Sequence, residues 1–148
     1  MSEETVTVRM TQRHDYQFDN QFGGAVPMLL ADEPAPLGQG AGPSPVQLLA
    51  TAVGNCLSAS LLFSLRKLKQ SAEPLACEVQ AQVGRAADKR LRVLGLQARL
   101  TLGVPAEAVA HLERLLGSFE DYCTVTASVR AGIPVTVQVF DAHGAQLK

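Results

Sequence analysis

The sequence predicts an α+β domain whose helices are segregated from its strands. A segment of 21 residues without charge, from Pro45 to Leu65, is typical of a long apolar helix. On either side of it, apolar and polar residues alternate with the period of two that half-buried strands have. The predicted order is βββ-α-ββ-α-(α)-β, which does not alternate regularly as a wound parallel sheet would. The length of 148 residues fits one domain, residues 1–148.

The predicted strands before the long helix are short, and they cover residues 5–10, 14–19 and 26–31. Pro27 favours an edge position for the third strand, since proline cannot donate a ladder hydrogen bond. A loop rich in Gly and Pro follows and ends in a helix start, with Ser44 as N-cap and Pro45 in the first helical position. We expect this helix to continue to about Lys69 and to be buried on nearly every side.

The second half begins with a predicted hairpin formed by residues 75–84 and 94–102. Pro105 opens a second predicted helix that ends near Leu116. The pattern of residues 123–129 is ambiguous, and residues 135–140 are a closing strand.

The composition excludes several classes of function. The net charge of −1 provides no electrostatic footprint for nucleic acid, and five Phe, two Tyr and no Trp argue against stacking of single-stranded bases. The long helix approaches the length of a membrane span, but its many polar residues favour burial in protein instead. An odd number of cysteines and an acidic start without an apolar leader favour a cytoplasmic protein. We expect neither a nucleic-acid nor a membrane partner.

Two kinds of site are disfavoured by the residues themselves. Gly38–Gly42 before a helix suggests a phosphate loop, but Pro43 and Pro45 lack N–H groups and no Gly-Lys-Ser/Thr ending follows. No metal and no other cofactor is expected, because no pair among the candidate ligands has the short spacing of zinc sites. These candidates are Cys56, Cys77, Cys123, His14, His111 and His143.

The cysteines are the remaining candidates for chemistry. Cys77 lies on the apolar face of a predicted strand, and we expect it to be a small buried hydrophobe distant from the other two. Cys56 lies in the middle of the long helix, and its residue pattern alone favours a core position. A reactive thiol there needs a cation that the fold brings close.

Two segments carry a family resemblance. The segment from Gly42 to Cys56, GPSPVQLLATAVGNC, resembles the central-helix signature of the OsmC/Ohr superfamily, the osmotically induced and organic hydroperoxide resistance proteins. The segment from Cys123 to Gly132, CTVTASVRAG, resembles the second cysteine segment of that family. The predicted order of elements also agrees with the family fold, in which antiparallel sheets surround a long buried helix.

The resemblance implies an intertwined homodimer with active sites at the subunit interface. It implies that Cys56 is the peroxidatic thiolate, which attacks an organic hydroperoxide and becomes a sulfenic acid. Cys123 would then resolve this acid as a disulfide, which an external dithiol reduces. Arg13 and Arg130 are the candidate cations that activate Cys56.

One position departs from the family pattern. Where hydroperoxide-resistance members have a Glu that pairs with the activating arginine, this chain has Val46, followed by the neutral Gln47. Two functions therefore stay open: a thiol-dependent peroxidase for alkyl or lipid hydroperoxides, and a dimeric binding or redox-sensing protein without that activity. The missing Glu is the feature that separates them.

Overall fold

The structure, a computed structural model, describes residues 2–148. Its internal contacts divide the chain into two compact units, Met1–Leu48 and Leu49–Lys148, and the boundary falls inside the long helix. The first unit holds a three-stranded sheet and the start of that helix. The second holds another three-stranded sheet and the remaining helices. The mixed α+β class is as predicted.

The sheet of the first unit is an antiparallel meander in the order β1-β2-β3. Its strands are β1 (Arg9–His14), β2 (Gln17–Gln21) and β3 (Leu29–Ala31). The prediction of three strands here is correct, but each begins further along the chain than predicted. Residues 5–8 lie outside β1 although they alternate, because the pairing with β2 starts at Arg9. Val6 is 80% exposed, so the alternation of apolar and polar residues in this segment does not mark a buried face in the single chain.

A buried carboxylate organises the loop between β3 and the long helix. Asp32 accepts hydrogen bonds from the backbone N–H groups of Glu33 (2.8 Å), Gln39 (3.2 Å) and Ala41 (3.0 Å). The loop folds so tightly around this carboxylate that a Cβ added at Gly38 would lie 2.4 Å from an Asp32 oxygen. The hydrogen bond from Ala41, with those from Gln39 and Glu33, lowers the pKa of Asp32 despite its burial.

This loop makes an acid-dependent contribution to stability. Because the folded pKa of Asp32 lies below its ordinary value of 3.8, its stabilisation is present above that value and is lost as pH falls through the folded pKa. Asp32→Asn removes the charge at every pH, and we expect it to lower stability at pH 7 and to flatten the stability profile below pH 4. Urea unfolding from pH 2 to 7 measures both effects. Parallel profiles for the two proteins would contradict this role.

The long helix, α1 (Pro45–Lys67), begins at the predicted residue. The Gln47 N–H donates to Ser44 Oγ at 3.2 Å, and the Ser44 N–H donates to Gln47 Oε1 at 2.9 Å. This reciprocal pair is a capping box, which satisfies two N–H groups at the helix start. Arg66 and Lys67 lie in the last turn, where cations suit the helix dipole.

The second sheet is mixed, which corrects the expectation of antiparallel sheets only. It has the order β4-β5-β6, formed by β4 (Ala76–Arg85), β5 (Leu91–Thr101) and β6 (Val135–Phe140). The β4–β5 hairpin is antiparallel as predicted, but β6 runs parallel to β5. The reason is the helical connection between β5 and β6, which returns the chain to the end of the sheet where β5 began.

That connection contains two short α-helices and two 3₁₀ turns. In chain order they are the turn Ala106–Ala108, α2 (Leu112–Ser118), the turn Phe119–Tyr122 and α3 (Thr124–Arg130). The single helix predicted from Pro105 is interrupted at His111, whose φ is +59°. At this interruption of the helix, the Ala110 N–H donates to Oε1 of Gln70 at 2.8 Å and not to a carbonyl of the preceding turn. The ambiguous segment after Cys123 is a helix.

One face of α1 forms the core of the second unit with the inner face of the sheet. The fully buried side chains include Val53, Leu57, Leu61 and Leu65 from α1 and Ala98, Leu100 and Val139 from the strands. The expectation that α1 is buried on nearly every side is wrong for the single chain, because the sheet covers one side only. Ala52, Asn55 and Phe63 are exposed. By length and hydropathy alone α1 could cross a bilayer, a property that core helices share.

Candidate functional site

Cys56 is on α1 at the margin between the core and solvent. Its side chain is partly buried and packs against the core of the second unit. Because the helix repeats every 3.6 residues, Phe63 lies on the same face two turns further along. Cys56 is therefore partly exposed, on the helix face that also carries the exposed Phe63 ring.

Cys123 occupies the residue between the turn Phe119–Tyr122 and α3. It is only 1% exposed, and its Sγ lies 2.8 Å from Oγ1 of Thr126, which is equally buried. Burial raises the pKa of the Cys123 thiol, and contact with the Cys56 side chain raises it further. The hydroxyl and N–H of Thr126 act in the opposite direction. Cys123 is thus held as a thiol at neutral pH.

The structure brings Cys56 and Cys123 together although they come from different helical segments. The Cys56 sulfur is close enough to influence the ionisation of Cys123 by hydrogen bonding and by charge. Neither cysteine is in a disulfide, so both are free thiols. Cys56 is partly exposed and Cys123 is buried beside it. In this arrangement Cys56 can react with an oxidant, and Cys123 can then form a disulfide with it.

A salt-bridge cluster fixes the segment that carries Cys123. The Cys123 N–H donates to the Glu120 carbonyl at 3.1 Å. The Glu120 carboxylate binds Arg130 at 2.8 Å and also binds Lys148. Burial alone would raise the pKa of Glu120, but the hydrogen bonds from Lys148 and Arg130 lower it. Arg130 also donates to the Val135 carbonyl at 3.3 Å, so the cluster ties this segment to β6.

The two candidate arginines therefore have carboxylate partners of their own. The charge of Arg130 is paired with Glu120. Arg13 belongs to the first unit, where it lies at an irregularity of β1 and pairs with Asp19 at 2.7 Å. The activation of Cys56 by either arginine stays a prediction.

The expectation for Cys77 is wrong in part. The residue is exposed, not buried, because β4 is an edge strand of its sheet. Its sulfur nevertheless faces α1, lying 3.5 Å from the position of a Cβ on Gly54 and interacting with Ser58. Desolvation raises the pKa of the Cys77 thiol. Gly54 and Ser58 are each about 160° from Cys56 around the helix, so Cys77 lies against the opposite face of α1.

An aromatic pair lies beside the thiol pair. The Phe63 and Tyr122 rings meet edge to face with centroids 5.3 Å apart, and both residues are about half exposed. Lys67 Nζ lies 5.3 Å from the Tyr122 ring centroid and 3.3 Å from its hydroxyl. Tyr122 precedes Cys123 directly and Phe63 lies two turns from Cys56, so the pair exposes apolar surface on the side of α1 that carries Cys56.

The residue patterns missed Thr126 and Glu120. Each lies three residues from Cys123 in the sequence. This spacing indicates proximity to Cys123 only once residues 124–130 are known to be helical. Across residues 2–148, no group of three His, Cys, Asp or Glu side chains is placed to hold a metal ion.

Comparison with known proteins places this geometry in a family. Residues 38–138 match the family model described as OsmC-like protein. A search of curated protein sequences found no match. Among solved structures, an OsmC-like protein from Mycoplasma pneumoniae superposes with a TM-score of 0.78 at 10% identity, covering 96% of this chain and 100% of that one.

Two further solved structures are organic hydroperoxide resistance proteins. One, named OsmC and from Legionella pneumophila, has a TM-score of 0.71 and 17% identity over 94% of this chain and 98% of its own. The other, OhrB of Bacillus subtilis, has a TM-score of 0.67 and 16% identity over 90% and 97%. At such identities the superpositions establish the fold, whereas the family model matches well over half of the sequence. The chain belongs to the OsmC-like family, within the OsmC/Ohr superfamily.

Proposed function

We propose that this protein is a thiol-dependent peroxidase that reduces organic hydroperoxides and contributes to defence against oxidative stress. The observation that carries the proposal is the pair formed by Cys56, which is accessible, and Cys123, which is buried beside it. Membership of a superfamily that includes organic hydroperoxide resistance proteins supports it.

The reaction follows from the placement of the two sulfurs. The Cys56 thiolate attacks the terminal oxygen of the hydroperoxide, so that an S–O bond forms, the O–O bond breaks and the alkoxide takes a proton to leave as an alcohol. The Cys123 sulfur then attacks the Cys56 sulfur, which forms an S–S bond and releases the hydroxyl group and the Cys123 proton as water. An external dithiol reduces the disulfide by thiol–disulfide exchange, and no cofactor takes part.

The surroundings of the thiols favour an alkyl or lipid hydroperoxide as substrate. Phe63 and Tyr122 expose apolar surface on the side of α1 where Cys56 lies. Burial of an alkyl chain against such surface contributes binding energy that hydrogen peroxide cannot obtain.

Activation of Cys56 is expected to be weaker than in members that have the Glu. Val46 cannot anchor an arginine, and the Gln47 side chain is engaged in the capping box. Arg13 and Arg130 are the proposed cations, and each has to share its charge with Asp19 or Glu120. We therefore expect peroxide reduction that is slower than in members that have the Glu.

A homodimer is part of the proposal. The side of α1 that the single chain leaves exposed carries Ala52 and Phe63, and β1 is exposed along its whole length. A second copy that covers these surfaces would bury apolar area that a monomer leaves in water. We propose one OsmC-like domain of residues 1–148, acting as a dimer in the cytoplasm, and sedimentation equilibrium distinguishes the dimer from a 15.7 kDa monomer.

The test is a thiol titration of the reduced protein. One equivalent of cumene hydroperoxide is expected to remove two thiols per chain within minutes and to yield one equivalent of cumyl alcohol. Peptide mapping without reductant should identify the Cys56–Cys123 disulfide and leave Cys77 free. An equal concentration of hydrogen peroxide, which has no apolar group, is the matched comparison and should react more slowly.

The second candidate function is a binding or redox-sensing protein of the same fold. The pairing of Arg130 with Glu120 and the absence of an acidic residue at position 46 favour it. Loss of thiols over hours, without a stoichiometric yield of alcohol, would support this function and contradict the peroxidase.

A further inference from the structure

Two side chains of the described residues form hydrogen bonds with the Cys123 sulfur. One is Cys56, and the other is the hydroxyl of Thr126. The Sγ–Oγ1 distance is 2.8 Å, and each residue is 1% exposed. Water therefore has little access to this contact. A buried polar group that has few partners depends strongly on each of them for both its orientation and its charge state.

We propose that Thr126 is a positioning residue for the resolving step, because its hydroxyl holds the Cys123 sulfur beside Cys56 and stabilises the thiolate that attacks the sulfenic acid. This inference rests on the proposed function and adds a residue to it. Thr126 acts through Cys123 and does not touch the hydroperoxide.

The hydroxyl can serve both charge states of Cys123 because it can accept or donate a hydrogen bond. While Cys123 is a thiol, its S–H donates to Thr126 Oγ1. When the thiol loses its proton, rotation of the hydroxyl directs the O–H at the sulfur, and the bond becomes charge-assisted. Burial and Cys56 both raise the pKa of Cys123, and Thr126 opposes them from within the buried site.

Helix α3 holds the hydroxyl in place. Cys123 and Thr126 are three residues apart at the start of this helix, where side chains at that spacing lie on one face. The Ala127 N–H donates to the Cys123 carbonyl at 3.0 Å, which fixes the first turn. The bound sulfur thus has a defined position relative to the backbone of α3.

The variant Thr126→Val keeps the shape of the side chain and removes the hydroxyl, and Thr126→Ser keeps the hydroxyl. Thr124→Val is the matched control, since Thr124 is exposed in the same turn. After one equivalent of cumene hydroperoxide, dimedone trapping followed by mass spectrometry measures the lifetime of the Cys56 sulfenic acid. Loss of one charge-assisted hydrogen bond is expected to lengthen this lifetime about tenfold in Thr126→Val.

The same experiment separates this role from a general loss of structure. Thr126→Ser and Thr124→Val are expected to resolve within about twofold of the wild type, because the first keeps the hydroxyl and the second changes an exposed side chain. Formation of the sulfenic acid should be unchanged in all variants, and the pH profile of the resolving step should move to higher pH only in Thr126→Val. Resolution by Thr126→Val at the wild-type rate would overturn the inference.

A second measurement keeps the inference testable without any peroxidase activity. In the background Cys56→Ser/Cys77→Ser, Cys123 is the only thiol, and the pH dependence of its Cβ chemical shift in carbon NMR reports its titration. Thr126→Val should raise this pKa by about one unit relative to Thr126→Ser. Identical titrations would overturn the role of Thr126, whereas a shifted titration in a protein that forms no sulfenic acid would contradict only the proposed function.

Discussion

Replacing Cys56 with serine is expected to reduce the consumption of cumene hydroperoxide to the rate of protein-free buffer. Serine has nearly the same shape as cysteine, but its hydroxyl does not ionise near neutral pH, so no comparable nucleophile remains on the side of α1 where Cys56 lies. Cys123 cannot take over, because it is buried and its pKa is raised. A coupled assay with dithiothreitol as the reductant measures turnover directly.

Two other cysteine variants act as controls for this result. Cys123→Ser should still form the Cys56 sulfenic acid in a single turnover but should yield no intramolecular disulfide. Cys77→Ser should retain full activity, since Cys77 lies against the opposite face of α1. Substantial turnover by Cys56→Ser, or its loss in Cys77→Ser alone, would contradict the assignment of the peroxidatic thiol.

The largest effect on stability is expected from Leu57→Ala. Leu57 follows Cys56 on α1 and is completely buried in the core of the second unit. Truncating such a side chain removes apolar burial and leaves a cavity, at a cost of about 2–5 kcal/mol in the free energy of unfolding. This is a large share of the roughly 5–15 kcal/mol that stabilises a typical domain. Equilibrium unfolding in urea measures the difference.

Leu91→Ala provides the same chemical change at an exposed position. Leu91 begins β5 and is 61% exposed, so its truncation should change stability by no more than about 0.5 kcal/mol. Similar losses in the two variants would mean that the α1 core is not packed as described. A Leu57→Ala protein that folds is also expected to react more slowly with hydroperoxide, because the helix face beneath Cys56 is loosened.

The elements that the sequence predicts accurately are those with a local cause. Ser44 and Pro45 define the start of α1 through the capping box, and alternating side chains define the β4–β5 hairpin. The strands of the first unit are displaced from their predicted bounds because pairing with a neighbour, not alternation, decides where they begin. The parallel pairing of β6 depends on a distant segment and leaves no local pattern.

The site could be predicted only in part for the same reason. The family resemblance singles out Cys56 and Cys123, but nothing in their surroundings along the chain indicates the contact with Thr126. In the sequence, nothing distinguishes Glu120 from a surface carboxylate. Only the structure shows that Arg130 and Lys148 bind it. The predicted burial of Cys77 is wrong because an apolar strand face predicts burial only when the strand is not at the edge of the sheet.

The parallel pairing of β6 with β5 affects how the protein folds during its synthesis on the ribosome. Residues 96–101 cannot gain their β6 partners until residues 135–140 have left the exit tunnel, and the whole segment with Cys123 emerges in between. The β4–β5 hairpin can form early because its contacts are local, whereas the β5–β6 contacts are not. Cys56 and Cys77 are therefore synthesised well before the last strand can close the core. The nascent chain has to pass through a stage in which Cys123 is less protected than in the finished fold, and the reducing cytoplasm that we propose for it would keep the three thiols from pairing wrongly.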